Sequence, residues 1–302
     1  MPVVVQTAIV KADRSKGLAS SYLRLVRPKQ WTKNGFVLAG VVFAGKVDST
    51  TQVAHALLAF AIFCALSGAV YAANDVLDVE EDRKHPLKRF RPVASGAVSP
   101  GSALVFAAVL AIAALAVGFL VLPVGVGIAG VAYLVLQVFY TIILKHTAIL
   151  DVMSISAGFV IRALAGVAAV GVAISPWLIV CTGLLTLFLG FSKRRHELAV
   201  LGDIASTHRK NLREYSVELL DEMMNIMVSA TIIAYTMYTF FAHQDRWMMA
   251  SIPFVVYGVF RYMLLVHRDG GGNPDTLLLR DRPLQITLLL WIAVVMTVIY
   301  FV

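Results

Sequence analysis

Apolar residues fall along the chain in nine runs separated by short polar or charged stretches. The runs cover 35–47, 53–73, 99–121, 124–144, 148–170, 176–192, 223–243, 249–267 and 284–302. A helix needs about 20 mostly apolar residues to cross a hydrocarbon layer about 30 Å thick. All but the first run meet that length. The first ends at Lys46 and has to recruit flanking residues such as Trp31. The pattern predicts an all-α integral membrane protein with nine transmembrane helices and one membrane domain over 35–302. Residues 1–34 lack the apolar stretch of a removable signal peptide. They carry seven basic residues between Lys11 and Lys33, which predicts a cytoplasmic head followed by a surface segment.

Composition agrees with this reading. Of 302 residues, 59% are hydrophobic and 15% charged, against about 25% charged in soluble domains. That excludes a soluble enzyme and a disordered chain. Net charge is +8, and the distribution of the cations explains it. With the N-terminus in the cytoplasm and the C-terminus outside, 23 of the 26 Lys and Arg fall in the arm and the cytoplasmic loops. Only Lys46 and Arg246 fall outside, and Arg162 lies within a span. Such a split is the positive-inside pattern, so the cations need no nucleic acid to account for them. The long charged loops 74–98, 193–222 and 268–283 all lie on the cytoplasmic side, which places the chemistry there. A long charged loop follows both the second and the sixth span, as two related halves would produce. Cys64 and Cys181 lie in apolar runs and read as buried thiols. No Gly-x-Ser-x-Gly nucleophile motif occurs, and Gly270–Pro274 reads as a linker rather than a phosphate loop.

The richest chemistry is Asn74-Asp75-Val76-Leu77-Asp78-Val79-Glu80-Glu81-Asp82, at the cytoplasmic end of the second span. On a continuous helix Asn74, Asp75, Asp78, Glu81 and Asp82 share about one third of the circumference, and Glu80 points away. Carboxylates so close repel unless a cation joins them. An amide and carboxylates suit Mg²⁺, whose remaining ligands often come from substrate phosphates. Arg83, Lys84, Lys88, Arg89 and Arg91 follow directly. Metal-binding acids beside phosphate-binding bases fit a Mg-diphosphate substrate. A solvated loop that only enforces topology would explain the bases but not the grouped acids.

Asn-Asp-x-x-Asp-x-x-x-Asp after the second of nine spans resembles the first aspartate-rich motif of the UbiA superfamily of intramembrane prenyltransferases, and the resemblance spans essentially the whole chain. It implies a central cavity open to the cytoplasm and to lipid, with Mg²⁺ and a diphosphate bound by Asn74, Asp78 and Asp82, assisted by Asp75 or Glu81. The superfamily's second acidic motif follows the sixth span. Here that position reads Lys193-Arg194-Arg195-His196-Glu197-Leu198. Cations in place of carboxylates point to one metal-bound diphosphate plus further phosphates held by Lys and Arg. Four segments, Arg27–Asn34, Asp82–Pro92, Lys193–Leu198 and Leu278–Pro283, resemble the branch of the superfamily that joins the 5-phosphoribosyl group of phosphoribosyl diphosphate to a polyprenyl (decaprenyl) phosphate. That resemblance implies a plasma-membrane enzyme of arabinan cell-wall synthesis, with its active site facing the cytoplasm.

Further candidates surround this site. Lys29 and Lys33 lie one turn apart, where a lipid phosphate would emerge. Arg83, Lys88 and Arg91 are candidates for the diphosphate, and Tyr140 and Lys145 for the same mouth. In the fifth span Asp151, Ser154, Gly158, Arg162 and Ala165 share one face. An intramembrane Arg usually meets a cavity or a partner, so this face either lines the cavity or forms an interhelix pair. Lys193, Arg194, Arg195 and Glu197 are candidates for the ribose or lipid phosphate. Successive residues turn 100°, so not all of them can point one way. Segment 209–222 is amphipathic and fits either a surface lid or an attraction to anionic headgroups. The small-residue face at Gly158, Ala165 and Gly166 can pack helices within one chain or in a homo-oligomer. Two rival functions remain at this stage. An aromatic prenyltransferase would keep the acidic second motif. A lipid or ion transporter would need a matching charge cluster on the outer side.

Overall fold

The structure is a computed structural model and describes residues 17–201, 210–241, 246–268, 277 and 280–301. The described residues are helical, with no strand. A short amphipathic helix α1 (Leu18–Leu25) leads into a 3₁₀ segment (Pro28–Leu38) and α2 (Ala39–Phe43). The bundle follows: α3 (Thr50–Leu77), the short α4 (Val79–Lys84), α5 (Pro100–Leu120), α6 (Val124–Ile142) and α7 (Leu150–Val170). Its second half holds α8 (Pro176–Leu201), α9 (Val217–Phe241), α10 (Ile252–Arg268) and α11 (Arg282–Phe301).

Among the described residues, eight helices are long and apolar enough to cross a membrane. They match the second to ninth apolar runs. Their outward faces carry exposed Val109, Ile112, Ile142, Ile226 and Leu289. Water would penalise that surface and lipid does not, so the chain is an integral membrane protein.

The first apolar run folds differently from a single long helix. Eleven residues of 3₁₀ helix precede five of α-helix. Pro28 opens the segment, and two glycines hold it against α7. A Cβ on Gly40 would lie 2.4 Å from the carbonyl carbon of Gly166, and one on Gly166 would lie 1.8 Å from the Val37 oxygen. The small-residue face of the fifth span therefore packs within the chain. The segment starts where Arg27 pairs with Asp75, near the C-terminal end of α3. Just beyond its end, the Val47 N–H donates to the Tyr300 hydroxyl at 2.8 Å. There Gln52, at the start of α3, also donates to the Val170 carbonyl at the end of α7.

Helix α7 is the hub, packing on α3, α6, α8, α2 and the 3₁₀ segment. One core around Phe63, Leu66, Val126 and Tyr133 includes Ala165 and Ala169 of α7. The other, around Phe188, Leu220, Met224 and Tyr262, includes Val152 of α7. Residues 217–222 of the amphipathic segment form the first turns of α9. Leu212 and Tyr215 are buried in the second core; residues 202–209 lie outside the described residues.

Gly166→Ala is expected to lower stability by about 1–3 kcal/mol or more, because its methyl meets backbone that cannot rotate away. A fall in the thermal unfolding midpoint in detergent, larger than that of Gly158→Ala, is the check.

Candidate active site

Two charged clusters meet at one end of the bundle. The first is the acidic motif. The helix breaks at Asp78, whose φ of −94° and ψ of 13° separate α3 from α4. The one-face arrangement expected of a continuous helix is therefore not kept: Glu81 is exposed, as is Glu80, whereas Asp75 and Asp82 turn inward. Arg27 reaches across from the turn before the 3₁₀ segment and pairs with Asp75. Its guanidinium lies over the Tyr71 ring, 4.8 Å from the centroid. Arg91 bridges the two acids, 3.2 Å from Asp75 Oδ1 and 2.6 Å from Asp82 Oδ2. One nitrogen, Nη1, makes both contacts. Asp78 stays 39% exposed and stands 3.9 Å from the Lys145 ammonium. Asn74 accepts a hydrogen bond from the Thr141 hydroxyl at 3.2 Å.

Among the described residues, no three Asp, Glu, His or Cys side chains stand close enough to hold a metal unaided. Asp75 is committed to two arginines. The accessible donors are the amide of Asn74 and the carboxylate of Asp78, both hard oxygens. Such an incomplete set fits Mg²⁺, which takes few protein ligands and completes its shell with water and substrate phosphate.

The second cluster joins α7, α8 and α9. Arg194 is 1% exposed. Its Nε lies 2.8 Å from Asp151 Oδ2, a charge contact without hydrogen-bond alignment, and Nη1 bonds Glu197. Arg195 donates to both oxygens of Asp221, at 2.5 and 3.2 Å. His267 of α10 stands 3.2 Å from the same carboxylate. The Tyr215 hydroxyl donates to Asp151 Oδ1 at 3.2 Å and accepts the Ile149 N–H at 2.5 Å. Burial dominates the Tyr215 environment and pushes its hydroxyl up to about 12, so it is a protonated donor at neutral pH.

The connection between α6 and α7 joins the clusters. It carries Lys145 in a 3₁₀ turn and leads directly to Asp151 in the first turn of α7. Ile149 has φ 67° and ψ −50°, and the Leu150 N–H bonds the Ala148 carbonyl at 2.7 Å. That is a γ-turn of the rarer hand, here centred on a β-branched residue, and it costs on the order of 1–3 kcal/mol.

Other candidates lie elsewhere. Arg162 is 6% exposed and donates to Asn34 (2.7 Å), the Gly158 carbonyl (2.9 Å) and the Tyr133 hydroxyl (3.0 Å). It clamps the 3₁₀ segment and α6 onto α7 and meets neither acidic cluster. Arg83 pairs with Glu80 at 2.7 Å on the exposed side of α4, and Lys29 and Lys88 are exposed. Lys33, Tyr140 and Lys193 are half-buried. His208 and Leu278–Leu279 lie outside the described residues. Asp281 caps α11: its Oδ1 accepts the Leu284 N–H at 2.9 Å, and Arg261 donates to both carboxylate oxygens. The Arg261 bond holds the Asp281 carboxyl below the usual range. Sequence reasoning missed the roles of Arg27, Asn34, Tyr133, Thr141, Asp221 and His267. Arg27 and Asp75 are 48 residues apart, and no periodicity links them.

The pattern of the UbiA prenyltransferase family matches residues 35–291. The chain belongs to that family. Its relatives narrow the comparison. A decaprenyl-phosphate phosphoribosyltransferase of Mycolicibacterium smegmatis is 34% identical over 308 residues, covering 96% of each chain. One from Corynebacterium glutamicum is 32% identical, covering 96% of this chain and 90% of that one. One from Mycobacterium tuberculosis is 34% identical, covering 94% of this chain and 96% of that one. A UbiA homolog from Archaeoglobus fulgidus, solved with DMAPP and Mg²⁺, superposes with a TM-score of 0.72 at 18% identity. That match covers 93% of this chain and all of the other, and at such identity it speaks for the fold. This UbiA family member is therefore a transferase built on the family's membrane fold.

In this UbiA chain the buried pairs set two expectations. Asp151→Asn leaves the buried Arg194 with Glu197 as its remaining acidic partner and is expected to cost about 1–3 kcal/mol, read as a fall in unfolding midpoint that Asp151→Glu partly restores. Because the Asp281 carboxyl is lowered from 3.8 in the folded state, its ion pair stabilises above that value and is lost as pH falls through the folded pKa. The stability gap between wild type and Asp281→Asn should hold at pH 6 and shrink below pH ~4, measured by thermal unfolding across that range.

Proposed function

We propose that the enzyme transfers 5-phosphoribose from phosphoribosyl diphosphate to a polyprenyl phosphate of the decaprenyl type, releasing diphosphate. The product would serve arabinan cell-wall synthesis. The observation that carries this reading is the pairing of one acidic motif with cations. Arg27, Arg91 and Lys145 stand within reach of Asp75, Asp78 and Asp82. In α8, where a prenyl-diphosphate enzyme would offer a second acidic motif, Lys193-Arg194-Arg195 stands instead. The names of the relatives point the same way.

Asn74 and Asp78, with Asp82 once released from Arg91, would hold Mg²⁺. Bound there, the ion supplies charge neutralisation for the leaving diphosphate. Arg91, Arg27 and Lys145 provide the donors that orient diphosphate oxygens beside the acids. Lys29, Lys33 and Lys193 are candidates to meet the lipid phosphate and the 5-phosphate. The acceptor already carries an anionic oxygen, so little general-base help is needed. Its oxygen bonds to the anomeric carbon as the C–O bond to diphosphate breaks, with the electron pair leaving on diphosphate. Attack opposite the leaving group inverts that carbon. The chain's contribution is position and charge.

The topology belongs to the same proposal: nine crossings, N-terminus and active site cytoplasmic, C-terminus outside, in the plasma membrane. Eleven residues of 3₁₀ helix at about 2.0 Å each and five of α-helix at about 1.5 Å each reach about 30 Å. That length favours the first segment as a crossing, and the charge split of the loops favours the orientation.

Purified enzyme in detergent, incubated with Mg²⁺, labelled phosphoribosyl diphosphate and polyprenyl phosphate, should move label into the lipid phase. Asp78→Asn should reduce the rate about 100-fold or more. Label moving instead from a prenyl diphosphate to an aromatic acid would assign the aromatic prenyltransferase reading. Folded protein inert with both donors would reject both.

A further inference from the structure

The cationic motif of α8 and the acidic motif of α3 are connected by a line of contacts that runs through one hydroxyl. Glu197 pairs with Arg194, and Arg194 lies against Asp151. Asp151 accepts a hydrogen bond from Tyr215, whose oxygen in turn accepts the N–H of Ile149. Ile149 is the centre of the γ-turn, and the turn closes the short connection 143–149 that carries Lys145. Lys145 stands beside Asp78.

A β-branched residue at φ 67° does not hold that geometry by itself. Tyr215 is placed to hold it. Its ring is buried in the second core, so the hydroxyl has a fixed position. It uses both hydrogen-bonding capacities at once, accepting from the strained backbone and donating to the Asp151 carboxylate, which also lies against Arg194. We propose that Tyr215 is a positioning residue for the transfer. It clamps the α6–α7 connection so that Lys145 stays at Asp78, and it makes Arg194 and Glu197 part of that clamp rather than phosphate ligands. The inference assumes the diphosphate site proposed above.

The test separates the clamp from the reaction. Tyr215→Phe keeps the ring and deletes the hydroxyl. In substrate-free protein, hydrogen–deuterium exchange over residues 146–150 should speed up at least tenfold, with the unfolding midpoint of the bundle little changed. This arm needs no substrate, so it stands whichever donor the enzyme uses. In the transfer assay, Tyr215→Phe should raise the KM for phosphoribosyl diphosphate about tenfold and leave the KM for polyprenyl phosphate unchanged. In a Lys145→Ala background, Tyr215→Phe should add nothing, since a residue acting only through Lys145 has no further effect once Lys145 is gone.

Unchanged exchange at the turn would overturn the proposal, as would an equal KM effect in both backgrounds or equal shifts for both substrates. Should Tyr215→Phe fail to fold, the same substitution is made with Ile149→Gly, where the turn carries no side-chain strain. The KM for phosphoribosyl diphosphate should then rise less than tenfold relative to Ile149→Gly alone. An effect as large would count against the clamp. Wild type inert with phosphoribosyl diphosphate but slow in turn exchange would reject the reaction and keep the clamp.

Discussion

Charge inside a low-dielectric bundle has to be answered by an opposite charge or by hydrogen bonds, and this constraint shapes the whole molecule. Helix α7 carries Asp151 near one end and Arg162 further along, both almost fully buried. Neither meets water, so each needs a partner from another element. Asp151 takes Arg194 of α8 and Tyr215 before α9. Arg162 takes Asn34 of the 3₁₀ segment and Tyr133 of α6. Two buried charges on one helix thus draw both halves of the bundle together. The glycine contact between α7 and the 3₁₀ segment is close enough that no larger residue fits there.

The same logic explains the acidic motif. Asp75, Asp78 and Asp82 lie on adjacent turns and would repel. Arg27 and Arg91 neutralise the two buried members, leaving Asp78 as the accessible carboxylate. The site is therefore pre-balanced: a cation entering it would compete with the arginines for the carboxylates, and an anion would compete with the carboxylates for the arginines. An arginine that bridges two acids can also turn toward a phosphate, because its donors lie in a planar fork. The UbiA fold supplies the frame, and the replacement of carboxylates by Lys193-Arg194-Arg195 gives this member its own electrostatic character.

Similarity by motif and placement in space diverge for that cationic run. One helix turns 100° per residue, so three successive cations face three directions. Arg194 goes into the interior and Arg195 to Asp221. A run that reads as one phosphate clamp thus serves largely as an interhelix tie.

By itself the sequence determined the presence and order of eight membrane helices, though α8 runs nine residues past its apolar run, the loops in which charge collects, and the acidic motif with its family. These features rest on local quantities: the length of an apolar run, the sign of a loop and spacing along one helix. Tertiary structure decided the rest. The first apolar run became a 3₁₀ segment because α7 meets it through glycine backbone. The motif's acids split into buried and accessible members because the helix breaks at Asp78 and arginines arrive from 48 residues before Asp75 and nine after Asp82. Partners so far apart leave no periodic trace. Their pairing is set by which side chains a low-dielectric interior forces together, and only packing specifies that.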